Sequence, residues 1–135
     1  MDGKQQVVMV LRKTFQGGII KRIPKNGRDA RILLALAAAS FDPGKDYSEP
    51  QANEQISEWK AGFTCPDEMD HVTIRRWLVD YHLLIRDADG SSYRANQMVI
   101  NSVITPDARS IQPRYILEDV QRVNEDRRRR YQTSV

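Results

Sequence analysis

Between Asp70 and Arg94 the apolar positions change period. Ile74, Trp77, Leu78 and Tyr81 recur at i, i+3, i+4 and i+7, the stripe of a helix with one buried face. The chain then runs through Leu83-Leu84-Ile85, an Asp89-Gly90 turn and Ser92-Tyr93-Arg94, which reads as a hairpin. A helix feeding a two-stranded hairpin is the order that a winged helix-turn-helix requires. Upstream, Ile32, Leu33, Leu36, Ala37 and Ala39 predict a helix over residues 28 to 40, stopped by Asp42-Pro43-Gly44. A second helix is predicted over residues 49 to 60, with Ala52, Ile56 and Trp59 as its inner stripe. Ser48 and Gln51 are spaced as a capping box, and Pro50 is tolerated in the first turn. Asp67 or Asp70 is positioned to cap the third helix.

The flanks are less regular. Val7 to Leu11 suit a strand by their β-branching, while Lys4, Gln5, Gln6, Arg12 and Lys13 around them favour a helix over residues 4 to 15, which is the expectation adopted. Gly17-Gly18 breaks this segment, and the alternation from Ile19 to Ile23 predicts a short strand closed by Pro24. Beyond the hairpin, Met98-Val99-Ile100 and Val103-Ile104 read as a further strand in an extended tail interrupted by Pro106 and Pro113. Ile116, Leu117, Val120 and Val123 then form a narrow stripe on a last helix ending in Arg127 to Arg130. The expected fold is a single α+β domain over residues 1 to 135, a winged helix-turn-helix with an N-terminal helix/strand extension and a C-terminal helical arm. Its centre spans about residues 14 to 95 and its extension 96 to 135, with Leu33, Leu36, Ile56, Trp59, Ile74, Trp77, Leu78, Leu84 and Tyr93 as the core.

Length and composition fit one soluble domain: 135 residues, ordinary hydrophobicity and no apolar run long enough to cross a bilayer. A cytoplasmic location is expected, and the single cysteine, Cys65, excludes an internal disulfide. The net charge of +3 conceals a segregation. Residues 1 to 29 carry seven basic against two acidic residues, residues 30 to 104 seven against eleven, and residues 105 to 135 seven against five. The centre is acidic and both flanks are basic.

Several ordered blocks resemble a known family. Ile20-Lys21-Arg22-Ile23-Pro24-Lys25, Phe41-Asp42-Pro43-Gly44-Lys45-Asp46-Tyr47-Ser48-Glu49, Asn53, Ile56, Thr73 to Tyr81 and Asp89-Gly90-Ser91-Ser92-Tyr93 are similar to the bacterial domain-of-unknown-function family 2087, over about residues 14 to 95. The resemblance implies a small winged-helix module of the kind found alone or behind ArsR-type regulators, with no established activity. Two features depart from the family pattern: the segment from Lys60 to Met69 is longer than the link expected before the third helix, and residues 96 to 135 have no counterpart.

On a recognition helix, arginine meets guanine edges or phosphates, which makes Arg75 and Arg76, with Thr73, the sharpest candidates for nucleic-acid contact. Four acids oppose two arginines between residues 67 and 80, so surface pairing with Glu68, Asp70 or Asp80 competes with that role. Lys21, Arg22 and Lys25 form a better basic patch for phosphates, and Arg94 on the hairpin is a further contact, set against a plain edge-protecting role. Arg127 to Arg130 fit a solvated helix end, where cations complement the macrodipole, or a polyanion contact. Ile116, Leu117, Val120 and Val123 bury either on the chain's own core or on a second subunit, and are the candidate oligomerisation residues. Enzymatic signals are weak: Cys65 with His71 lacks an oxyanion device, Cys65, His71 and His82 lack paired zinc-ligand spacing, and Asp87, Asp89 and Ser91 lack the length of a calcium loop. The expectation is therefore a non-enzymatic regulatory module without metal or cofactor. By analogy of fold it is expected to bind double-stranded DNA as a homodimer; in the alternative, the same fold serves protein–protein interaction or dimerisation without DNA.

Overall fold

The computed structural model describes residues 2–133. Its described residues form six α-helices and one small antiparallel sheet in an α+β arrangement: α1 (Gly3–Thr14), α2 (Gly27–Ala39), α3 (Glu49–Lys60), α4 (His71–Asp80), β1 (Leu84–Arg86), β2 (Tyr93–Ala95), α5 (Gln97–Val103), a 3₁₀ turn (Pro106–Ala108) and α6 (Pro113–Thr133). No helix among the described residues is long and apolar enough to cross a membrane.

Helix starts follow side-chain capping. Asp2 and Gln5 make a reciprocal box at α1, and Ser48 and Gln51 do so at α3; the Asn26 side chain accepts from the Arg28 and Asp29 N–H groups at α2, and Asp70 accepts from Thr73 N–H at α4. α2 lies at the centre: every residue from Ile32 to Ala38 is buried, and the helix packs against α1, α3, α4 and α5. A helix apolar on all sides has to be enclosed, and these four neighbours enclose it.

Helix α4 stops in a Schellman motif. The His82 N–H donates to the Val79 carbonyl at 2.9 Å and the Leu83 N–H to the Leu78 carbonyl at 2.8 Å, with His82 in the left-handed region at φ 62°. The chain then enters β1, which pairs with β2 through Leu84↔Ala95, Ile85↔Arg94 and Arg86↔Tyr93, the register expected from a turn centred on Asp89-Gly90. Tyr47 extends the sheet on the far side of β2: the Tyr47 and Tyr93 N–H groups each donate to the other's carbonyl at 2.8 Å. Tyr47 is itself held from below, since its ring meets Phe41 edge-on at 4.7 Å and its hydroxyl accepts from the Asp42 N–H at 2.8 Å.

Three expectations are corrected. The strand over Ile19 to Ile23 shrinks to one parallel bridge, Ile20 with Thr64, because Ile20 and Ile23 turn inward while Ile19 is exposed, a spacing that strand alternation cannot supply. Its partner is the segment before α4, which buries Phe63 and Met69. The strand and extended tail expected after residue 96 are instead α5 and a 3₁₀ turn. Asn96 caps α5, and Ile100, with Val99 and Val103 partly, packs inward, so that a helical face against α2 outweighs β-propensity. Finally, Trp59 and Trp77 stand half-buried at the rim rather than in the core, although Trp59 meets Phe63 edge-on at 4.9 Å.

The core does not end at residue 95. Val7, Leu11 and Phe15 at one end of the chain, and Ile100, Ile104, Ala108, Leu117 and Val120 at the other, belong to the same buried cluster as Ile56, Ile74 and Leu78. Helix α6 packs on α1, with Arg12 Nη2 2.7 Å from Asp119 Oδ2.

Ile74→Ala should cost about 3 kcal/mol by emptying a fully enclosed site, and Trp77→Ala less, because its ring is half in water; urea unfolding checks the order. His82→Gly should raise stability by about 1 kcal/mol by relieving a left-handed backbone at an exposed position, read as a higher melting temperature.

Candidate nucleic-acid interface

The outward surface of α4 is set by which of its residues the core claims. Ile74 and Leu78 are buried, so Val72, Arg76 and Asp80, at four-residue intervals, face away. Arg76 is exposed and has no hydrogen bond or ion pair with any described residue. Thr73 is half-buried, its N–H donating to Asp70 Oδ1 at 2.8 Å. That bond, joined by one from the Thr73 hydroxyl, holds the Asp70 carboxyl below the usual aspartate range, so a fixed negative charge sits at the start of the helix.

Arg75, expected beside Arg76 at the interface, is turned inward. Its side chain is only 13% exposed; Nη1 donates to Asn53 Oδ1, Nη2 lies 3.1 Å from Glu49 Oε1, and the guanidinium stands 5.6 Å from the centre of the Tyr93 ring. One residue thus clasps α3, α4 and β2 together. Glu49, Asn53, Arg75 and Tyr93 all lie in the blocks that carry the family likeness, and those blocks converge here on a packing device. Sequence periodicity could not reveal it, because the contact spans 22 positions between two helices and depends on their crossing.

The hairpin carries two exposed arginines, of which Arg94 has an acid nearby. Arg94 is half-exposed and 4.0 Å from Asp46 Oδ1. The Arg86 guanidinium lies across the turn, where a Cβ on Gly90, whose φ is 75°, would come within 2.5 Å of its Nη2. Asp89 and Asp87 accept from the Ser91 and Ser92 hydroxyls and close the turn. No three His, Cys, Asp or Glu side chains among the described residues are grouped as a metal set.

The clearest concentration of free positive charge lies elsewhere. Lys21, Arg22, Lys25 and Arg28 are all exposed, and none of their side chains has a hydrogen bond or ion pair with a described residue. Lys21, Arg22 and Lys25 border an open cavity of about 420 Å³ that also takes in Gly17, Gly18 and Lys13. At its base the buried Asp29 carboxylate meets Lys13 Nζ at 2.6 Å, so the one acid in the cavity is already paired. The Ile20–Thr64 bridge ties this loop to the segment leading into α4, with the Cys65 N–H donating to the Ile20 carbonyl at 2.8 Å.

Of the four residues expected to mediate oligomerisation, Leu117 and Val120 are buried in the chain's own core, Ile116 is half-buried against it, and Val123 is 38% exposed. The narrow stripe is therefore consumed mainly within the chain. Two anchors went unread in the sequence: the Arg12–Asp119 pair, and the Arg114 guanidinium donating to the Glu58 carbonyl at 3.2 Å, which together fix α6. Neither has a local signal, since each joins residues far apart in the chain.

In a double-mutant cycle, Arg75→Ala and Asn53→Ala should show a coupling of about 1 kcal/mol in urea unfolding, with the half-exposed Glu49 adding little. Additive losses would mean that the clasp does not operate.

Searches of curated proteins and of solved structures found no match. Residues 19–95, more than half of the chain, match the model of a family described as an uncharacterized protein conserved in bacteria, the domain-of-unknown-function family 2087. From the basic loop through the Arg75 clasp to the end of β2, the chain is a member of that bacterial family.

Proposed function

We propose that the protein is a winged-helix module that binds double-stranded DNA in transcriptional regulation, acting in the cytoplasm. The order α2, the Tyr47 bridge, α3, α4 and the β1–β2 hairpin matches that of a winged helix, in which the helix before the wing enters the major groove. The observation that carries the reading is the group of unpaired cations Lys21, Arg22 and Lys25 on a loop bridged to the approach of α4. In this reading Arg76 and Thr73 approach base edges, the loop cations and Arg94 hold phosphates and fix register, and Arg75 supports the helix from behind. The association with ArsR-type regulators that the family resemblance implies points to the same class by analogy.

The alternative reading, a protein-interaction or dimerisation module, has its own support. Asp67, Glu68 and Asp70 crowd the start of α4, while Met98 and Ile85 are 82% and 41% exposed. A homodimer would use apolar surface of this kind, since α6 has spent most of its stripe.

Fluorescence anisotropy with a random duplex at low and moderate salt tests the choice. The protein should bind with strong salt dependence; Lys21→Ala should reduce the salt slope by about one, and Arg76→Ala should weaken binding about tenfold while leaving the melting temperature unchanged. Absence of binding at low salt would reject the DNA reading in favour of the interaction module.

A further inference from the structure

We infer that the second half of α6 and the basic loop form one continuous track for the phosphate backbone of duplex DNA, joined across Gly17-Gly18; this rests on the DNA-binding reading above. Gly17 and Gly18 line two cavities at once. One holds Lys13, Lys21, Arg22 and Lys25; the other, of about 590 Å³, is closed on its far side by Gln121, Asn124, Glu125 and Arg128 of α6. The two basic flanks of the sequence, separated by an acidic centre, are therefore neighbours in space.

Charge and shape both fit a polyanion. Residues 12 to 29 and 119 to 130 together carry eleven cations and four carboxylates. Three of those carboxylates are already matched: Asp29 by Lys13, Asp119 by Arg12 and Arg122, and Glu125 by Arg129. Asp126 is the remaining one. Arg127 and Arg128 are exposed, as are Lys21, Arg22 and Lys25. The surplus contrasts with the segment leading into and along α4, where acids outnumber arginines, so the electrostatic affinity resides on this track and α4 contributes sequence preference.

The saddle between the two basic banks is bare backbone. Gly18 needs its glycine for a φ of 93°, but Gly17 does not: its φ is not in the left-handed region and a Cβ there would meet nothing within 4 Å. The fold leaves that position free to carry a side chain, and the absence of one lets an external backbone approach closely. From Gln121 to Thr133, α6 extends roughly 18 Å at 1.5 Å per residue, enough to follow several phosphates.

The test is anisotropy of the full chain with a fluorescein-labelled random duplex between about 50 and about 200 mM salt. The double variant Arg127→Ser/Arg128→Ser should lower the steepness of log K against log salt by about 1.8, the value for two phosphate contacts. Gly17→Leu, which changes no charge, should weaken binding about fivefold at an unchanged melting temperature. Lys4→Ser, a cation removed from the other end of α1, should leave the slope unchanged. If the wild type binds but the arginine variant keeps its slope, or Lys4→Ser lowers the slope as much per charge, the track is wrong and the DNA reading stands. If the wild type does not bind at low salt, both fall.

Discussion

Seven consecutive residues of α2, from Ile32 to Ala38, are removed from water, and a helix of that kind cannot exist until something surrounds it. The neighbours that do so come from the whole length of the chain: α1 before it, α3 and α4 after it, and α5 beyond the hairpin. The run of alanine and leucine gives α2 high helical propensity and a slim profile, which lets four helices approach one axis. Capping residues then decide where each surrounding helix starts, and so which face it offers inward. The orientation of α4, with Ile74 and Leu78 in and Arg76 out, follows from that enclosure.

Enclosure alone would leave α4 and the hairpin free to shift against α3. Two polar devices fix them. The Tyr47–Tyr93 backbone pair locks β2 to the chain just ahead of α3, and Arg75 reaches from α4 to Asn53, Glu49 and the face of Tyr93. A guanidinium with several fixed donors and a flat face suits such a junction. The cost to function is direct, because an arginine spent on the protein's interior joint is not available to a ligand. What α4 retains outside is a single free cation, Arg76, on a helix whose start carries a carboxylate held ionised by Thr73, and this shifts the burden of attracting an anion onto the flanks.

Local chemistry was legible in the sequence. Ser48 with Gln51, Asp70, and Asp89-Gly90 marked their caps and turn, and the stripes through Ile56 and Ile74 identified the inner faces, because each of these signals operates within one or two turns of chain. Long-range choices were not. Val99, Ile100 and Val103 have strand-like side chains, yet α2 offers them a helix-shaped site; Ile19 to Ile23 alternate in hydrophobicity, yet only Ile20 finds a partner, in a loop more than forty residues away. Among the candidate contacts, the exposure of Lys21, Arg22, Lys25 and Arg76 agrees with what their surroundings suggested. The inward turn of Arg75 and the internal use of Leu117 and Val120 depend on partners that no spacing rule identifies.

The Arg12–Asp119 pair connects residues 107 positions apart, and with it α1 meets α6, made about a hundred residues later. Contacts of such separation form only after the intervening chain has closed its own loops, and they sit at the slow end of folding. Helix α1 must therefore wait, its apolar side held by few local contacts, until α6 arrives. The juxtaposition of the two basic flanks is in that sense a late event: a nascent or partly opened chain carries the same charges but scatters them, and only the finished fold gathers them on one side.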